Sequence, residues 1–407
     1  MGCYDKHNTL FLLDLCENVV IFGNCEKLLN MLKFLPKYAI IESGTGENFM
    51  NKNHRNTIGL DEREQQLYFK ELMTFSVPNQ NDKRIGKNIP ALDEFDLVDE
   101  RRINGHLQKR FVRLHKAYFA DVLKQIGKKE CFYHAHITPE DVKTNSVPRN
   151  LSVLIKEIGH EHSLIAEVEH QKMYAEAVCS RVLNFFGCKT VYNKVLNTQG
   201  TLFVLSLDFL RPYEHFYVAE DICEKNEIWC SNPLENSLAS VDMDIDILKH
   251  RVENEFGVSG VAADKEQIKR DYVMSYLVRV FLLGDTDFRS RNYGFIYNIQ
   301  DNEIYSAPDY DFELAFGMST KRFAAFEQNF KAISEKYPDI LEEFLKKAQQ
   351  LTKNNIFGYS KFDKIFVEET AENDYVMHFR SMVPENVSYM VDYAKKNNVY
   401  SGSRGLF

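Results

Sequence analysis

The segment FLLGDTDFRSRNYGFIYN carries Asp287 and, five positions later, Asn292, and the following SAPDYDFELAFG carries Asp311 in a Tyr-Asp-Phe context. A site that moves a phosphoryl group needs these side chains. One carboxylate meets the incoming hydroxyl, while an amide and a second carboxylate hold Mg²⁺ against a triphosphate. Asp287 and Asn292 fall between an apolar helical run and a strand, so packed elements at both ends would fix them. Positioning and electrostatics do nearly all the catalysis in this chemistry. Asp311 follows a proline-containing turn after the next strand, and a β-hairpin would return it beside Asn292. One carboxylate and one amide oxygen suit Mg²⁺, a hard cation that also keeps phosphate oxygens. Alone, DTDFRSRN would most often be only a solvated loop of helix-capping acids; the buried-looking strand and PDYDFELAFG beside it favour the chemical reading.

A triphosphate also needs a cation. Lys156 sits late in the strand NLSVLIKEI, where an ammonium costs free energy unless it has a partner. Glu176 on the following helix can be that partner, with Glu167 and Glu169 as competitors, and a solvent-facing position on an edge strand is the bland alternative. Asp208 and Phe209 lie at a strand–linker junction where an adenine could meet the backbone, or where ordinary packing occurs. Arg289 and Arg291 read as phosphate contacts or as solvated loop charges. Ser43–Gly46 is too short for a phosphate loop and lacks the Gly-Lys that should follow. His134 and His136 lack a third ligand nearby, His160 and His162 read as surface residues, and neither GxSxG nor a cysteine in a nucleophile context occurs.

Several elements must hold these residues. TLFLLDLCENVVIFGN reads as two strands about a turn and LLNMLKFLPKYAII as a short helix ended by Pro36. Helical spacing follows over Asp61–Met73, and a clearer amphipathic helix is expected over Arg101–Ile126, with Leu107, Phe111, Leu114, Tyr118 and Val122 on one face. Between these two helices, the stretch broken by Gly86 and Pro90 reads as a loop. After the Lys156 strand, residues 167–187 form a helix that Gly187 should end. TVYNKVL and TLFVLSLDFL are strands joined by Asn197–Gly200. Asp264 caps a long helical run to Gly284. YGFIYNI and EIYSA flank a turn at Gln300–Asn302, and the rest is helical over Lys321–Leu351 and Val383–Lys396.

The chain has 407 residues, enough for two or three domains, with 44% hydrophobic residues, 30 Phe and 21 Tyr to build a core. A net charge of −9 argues against a nucleic-acid-binding face, although 50 Lys and Arg leave room for a local basic patch. The eight cysteines form no CxxC pair and fit a reducing cytosol. No apolar run is long enough to span a bilayer, and no export signal is recognisable. Gly2-Cys3 resembles an acylation start, but position 6 is Lys. No repeat or low-complexity tract is present.

Over about residues 145–350 the chain resembles the HipA-like kinases, bacterial serine/threonine kinases with a protein-kinase-like core. Lys156, Glu176 in YAEAVCSRVLNFFG, Asp287 and Asn292 in GDTDFRSRN, and Asp311 in APDYDF carry the likeness. It implies an α+β, bilobal protein-kinase-like fold, with residues 131–212 as a small sheet-containing N-lobe and 213–407 as a mainly helical C-lobe; residues 1–130, an extra N-terminal α/β region, lie outside the likeness and read as a family-type subdomain or as a separate substrate-binding module. By the same likeness Asp287 is the catalytic base, Asn292 and Asp311 hold Mg²⁺, and Lys156, partnered by Glu176, meets the phosphates of ATP. Two features depart from the family pattern. Phe288-Arg289 stands where a Gly-His pair is usual, and KTNSVPRNLSVLIK contains no glycine where a phosphate loop is expected; Ser146 is the nearest phosphorylation candidate there. The expected partners are a protein substrate and an antitoxin-like protein, with no nucleic acid bound directly and no membrane. The expected location is cytoplasmic, with a secreted effector as the alternative. A pseudokinase and a lipid or small-molecule kinase are the rival functions.

Overall fold

The computed structural model describes residues 97–99, 108–113, 152–157 and 164–399, less 199–200, 212, 224–227, 357, 371–375 and 398. The chain divides into two compact units, Met1–Val77 and Pro78–Phe407, and every described residue lies in the second. The expected strands and helices before residue 97, Ser43–Gly46, Ser146 and the four discounted histidines all lie outside the described residues.

Five strands form the first sheet: β1 (Leu97–Asp99), β2 (Gln108–Arg113), β3 (Ser152–Glu157), β4 (Asn193–Thr198) and β5 (Thr201–Leu207). Their order is β1-β2-β3-β5-β4, with every neighbouring pair antiparallel. The helix expected over Arg101–Ile126 is therefore corrected: residues 108–113 are a strand paired with β3, Lys109 opposite Lys156. Of the five apolar positions that suggested the helix only Phe111 falls within this strand, and six residues are too few for periodicity to separate strand from helix. Pairing with β3 decides between the two. Lys156 thus stands on a central strand, flanked by β2 and β5, and not at an edge.

Helix α1 (Leu164–Phe186) crosses between β3 and β4, covering β4 and β5. It stops in a Schellman arrangement. Gly187 adopts φ +87°, its N–H bonds to Asn184 O and the N–H of Cys188 bonds to Leu183 O. Val178, Val182 and Phe186 are buried along one face, as the helical period requires.

The second sheet has the order β6-β8-β9-β7, from β6 (Glu214–Val218), β7 (Ala262–Ala263), β8 (Gly294–Asn298) and β9 (Glu303–Ser306). β8 and β9 are the expected hairpin, and Asn302 in its turn takes φ 51°. The remaining elements are helical: α2 (Leu234–Phe256), α3 (Lys265–Tyr276), α4 (Phe326–Lys336), α5 (Pro338–Thr352), α6 (Lys361–Thr370) and α7 (Met377–Lys396). α2 and α6 went unread in the sequence. Asp264 caps α3 by accepting from Gln267 N, as expected. Beyond Tyr276 the helix widens to a π-helical stretch, Leu277–Leu282, that is buried throughout. α5, α6 and α7 pack on one another, and α6 also packs on α1. The described architecture is α+β, two small sheets with a mainly helical C-terminal part. None of its described helices is long and apolar enough to cross a membrane.

Candidate functional site

Lys156 projects from the middle of the first sheet and is 6% exposed. Its ammonium pairs with Glu176 Oε1, and it lies 3.3 Å from both Asp311 Oδ1 and Glu313 Oε1. Glu176 is thus a partner of Lys156; the side chains of Glu167 and Glu169 lie outside the described residues. Glu176 is supported from its other side, because Asn193 Nδ2 donates to Glu176 Oε2 at 3.1 Å and Ser206 Oγ in turn donates to Asn193 Oδ1. Burial alone would lower the lysine pKa. Glu176, Asp311 and Glu313 outweigh that effect and hold the ammonium well above its ordinary range, so it stays charged.

The loop after α3 is built around Asp285 and Asp287. Gly284 turns the chain with φ +63°, and a Cβ there would lie 2.1 Å from Met318 O. Asp285 Oδ1 accepts from the N–H of Asp287 at 2.9 Å. Asn292 Nδ2 donates to Asp287 O at 2.8 Å and to Asp287 Oδ2 at 2.9 Å. The amide nitrogen is thereby committed, which leaves the oxygen of Asn292 as the atom suited to a cation. Arg291 Nη2 meets Asp287 Oδ2 at 2.6 Å, while Arg289 Nε lies 2.7 Å from Asp287 Oδ1 without hydrogen-bond alignment. Both loop arginines, read as phosphate contacts or solvated charges, therefore engage the carboxylate of Asp287. Arg289 also lies over the ring of Trp229, the single tryptophan, which is 48% exposed.

Arg279, which the sequence reading missed, joins the two acidic segments. It is fully buried on the π-helical stretch between the rings of Phe288 and Phe312, 4.6 and 4.7 Å from their centroids. Its guanidinium bonds Asp285 Oδ2 at 2.8 Å, Asn292 O at 3.3 Å, Asp309 Oδ1 at 3.4 Å, Tyr310 O at 3.1 Å and Asp311 O at 2.9 Å. One planar fork therefore holds the backbones of Asn292 and Asp311 side by side. Ser275 Oγ adds a bond to Asp309 Oδ2 at 2.6 Å, and Tyr310 Oη donates to Arg291 O at 3.0 Å. The signal available in sequence was one arginine inside the apolar run SYLVRVFLLG, a charge that burial forces to find partners.

Asp311 adopts φ 57°, a left-handed conformation uncommon outside glycine. It turns the chain between Asp309, bonded by backbone to Lys189 and Val191, and buried Phe312. The nearest carboxylate oxygens of Glu176, Asp311 and Glu313 lie within 4.8 Å of one another. Glu313 was also missed. Asp208 Oδ1 accepts from Leu210 N at 3.2 Å, and Phe209 packs on Phe216 and Tyr310. These two sit at the end of β5, linked to the Asp311 segment through Tyr310.

The clustered carboxylates of Glu176, Asp311 and Glu313 offer oxygen donors of the kind a hard divalent cation takes, and Arg279 ties the backbone of Asn292 to that of Asp311. Beside them stands a buried, permanently charged lysine suited to a phosphate.

No family model matches the chain, and no curated protein matches its sequence. Among solved structures, the Helicobacter pylori proinflammatory kinase CtkA is 11% identical with a TM-score of 0.38, over 74% of this chain and 97% of that one. HipA of the Shewanella oneidensis MR-1 toxin–antitoxin system, in complex with HipB and operator DNA, is 10% identical with a TM-score of 0.40, over 75% and 77% of the two chains. Likeness this slight carries no weight, and the chemistry rests on the chain's own residues.

Proposed function

We propose that the protein is an ATP- and Mg²⁺-dependent kinase of HipA-like type and bilobal protein-kinase-like fold, acting on a Ser or Thr hydroxyl of a protein. Residues 131–212 supply the core of the smaller lobe and 213–407 the larger. The observation that carries this reading is the convergence through Arg279: the loop of Asp287 and Asn292 and the turn of Asp311 share one guanidinium, and Asp311 reaches back to Lys156. The loop of Asp287 and Asn292 is thereby joined to the turn whose Asp311 lies against the lysine read here as phosphate-binding.

In this reading Lys156, held by Glu176, neutralises phosphate oxygens, and the backbone at Asp208 and Phe209 borders the base. Asn292 and Asp311 hold Mg²⁺, which when bound supplies charge neutralisation of the triphosphate. The acceptor oxygen bonds to the γ-phosphorus as the bond from that phosphorus to ADP breaks. The hydroxyl proton passes to the carboxylate of Asp287. For this the acceptor must displace Arg289 or Arg291, and both are partly exposed.

A partner-binding module without turnover is the second reading, favoured by the engagement of both Asp287 oxygens by arginines. Radiolabel transfer separates the two. Wild type is expected to label a protein acceptor, and Asp287→Ala to lose about 10²- to 10⁴-fold of that rate, the span of a general base. Mg²⁺ with ATP should raise the melting temperature more than ATP alone. No transfer by wild type, with an intact Mg²⁺–ATP shift, would establish the binding module instead.

A further inference from the structure

The ammonium of Lys156 carries three hydrogens, and three carboxylates already surround it. A phosphate oxygen can reach it only by replacing one of them. Glu176 cannot leave cheaply, since it is buried and fastened on its other oxygen by Asn193. Asp311 sits on a backbone bonded to Arg279. Glu313 remains: its side chain is 27% exposed and, like that of Asp311 at 30%, makes one 3.3 Å contact with Lys156, but Asp311 is committed to the cation in the kinase reading. The backbone of Glu313 follows Phe312, which is locked against Arg279, so the charge of Glu313 stays at the mouth of the site even when its side chain swings away.

We propose that Glu313 is a positioning residue that sets nucleotide affinity by competing with the triphosphate for Lys156. The proposal rests on the kinase reading of the site. With Glu176, Asp311 and Glu313 opposing one ammonium, the unliganded cluster has two negative charges in excess, and an incoming triphosphate adds more. A divalent cation offsets this repulsion. Glu313 therefore weakens the binding of ATP alone more than that of Mg²⁺–ATP, and it makes the cation a condition of nucleotide capture. Residues of this type tune affinity through charge, so a neutral isostere removes the effect while keeping the shape.

The test is calorimetric titration of ATP, with and without Mg²⁺, into wild type, Glu313→Gln and Glu313→Asp, with radiolabel transfer recorded in parallel. Glu313→Gln should bind ATP roughly threefold to tenfold more tightly without Mg²⁺, as removal of a partly exposed charge allows, and gain less with it. Glu313→Asp keeps the charge and should stay nearer to wild type. Glu313→Ser serves as a second neutral variant and must move in the same direction, with melting curves confirming that both are folded. Unchanged or weaker ATP binding by the neutral variants, with wild type binding and transferring normally, overturns the role of Glu313 and leaves the kinase reading intact. Tighter binding without transfer by any form supports it while removing turnover. Absence of ATP binding by all forms, with or without Mg²⁺, overturns both.

Discussion

Arg279 is the residue on which the geometry of the site turns. Its side chain is fully buried and bonds four backbone or carboxylate groups of the two acidic segments as well as Asp285. Burial pushes the Asp285 and Asp309 carboxyls up, and the guanidinium opposes that shift. Removing one member of such a buried cluster leaves uncompensated charge and costs about 3–5 kcal/mol. Arg279→Ala should therefore lower the melting temperature by on the order of 10 °C. Arg279→Lys keeps the charge but loses the planar fork, so it should melt closer to wild type and still lose most transfer activity. Equal losses of activity and stability in Arg279→Lys would show that the arginine serves the core rather than the alignment of the loops.

At the scale of elements, the turn from α3 into the loop of Asp287 is the critical junction. The π-helical stretch closes with Leu283 N–H bonded to Val278 O, and Asp285 N–H then bonds to Arg279 O. Wide turns of this kind recur at functional sites because they re-aim the chain without ending the helix. Gly284 makes the reversal possible: its φ is +63° and the space where a Cβ would stand belongs to Met318 O. Gly284→Ala should cost at least about 1–3 kcal/mol, from backbone strain and the clash together. Thermal melting would read it, and an unchanged melting temperature would contradict the close approach. The loop from Leu314 to Met318 would be displaced with it, since Phe316 N–H bonds to Leu283 O and Met318 N–H to Gly284 O.

For the whole molecule, the Lys156 cluster links stability to pH. The folded pKa of Lys156 lies above its ordinary value, so its contribution to stability is fully present below about pH 10.4 and is lost only as pH climbs through the higher folded value. The stability difference between wild type and Lys156→Met should therefore stay constant from about pH 7 to 9.5, at roughly 3–5 kcal/mol for a buried pair broken on one side. Denaturant melts across that range would test it. A difference that widens steadily toward pH 9.5 would mean that burial depresses the folded pKa and that the three carboxylates do not hold the ammonium.

The local pattern of the chain was sufficient for β3, α1, β4, β5 and the β8–β9 hairpin, because each has its own period and a turn residue where one is required. The caps at Gly187 and Asp264 were legible for the same reason, as was the pairing of Lys156 with a glutamate of the next helix. Residues 108–113 were misread because six residues holding one of the five apolar positions carry no period of their own, and only the ladder with β3 identifies the strand. Arg279 and Glu313 could not be assigned roles from spacing, since the partners of Arg279 span 285 to 311 and Lys156 lies 157 positions before Glu313. Sequence determines which groups are available and which short segments carry them. Tertiary packing alone decides which charges meet, because burial makes an unpaired ion costly and leaves each one the few partners that the fold brings within reach.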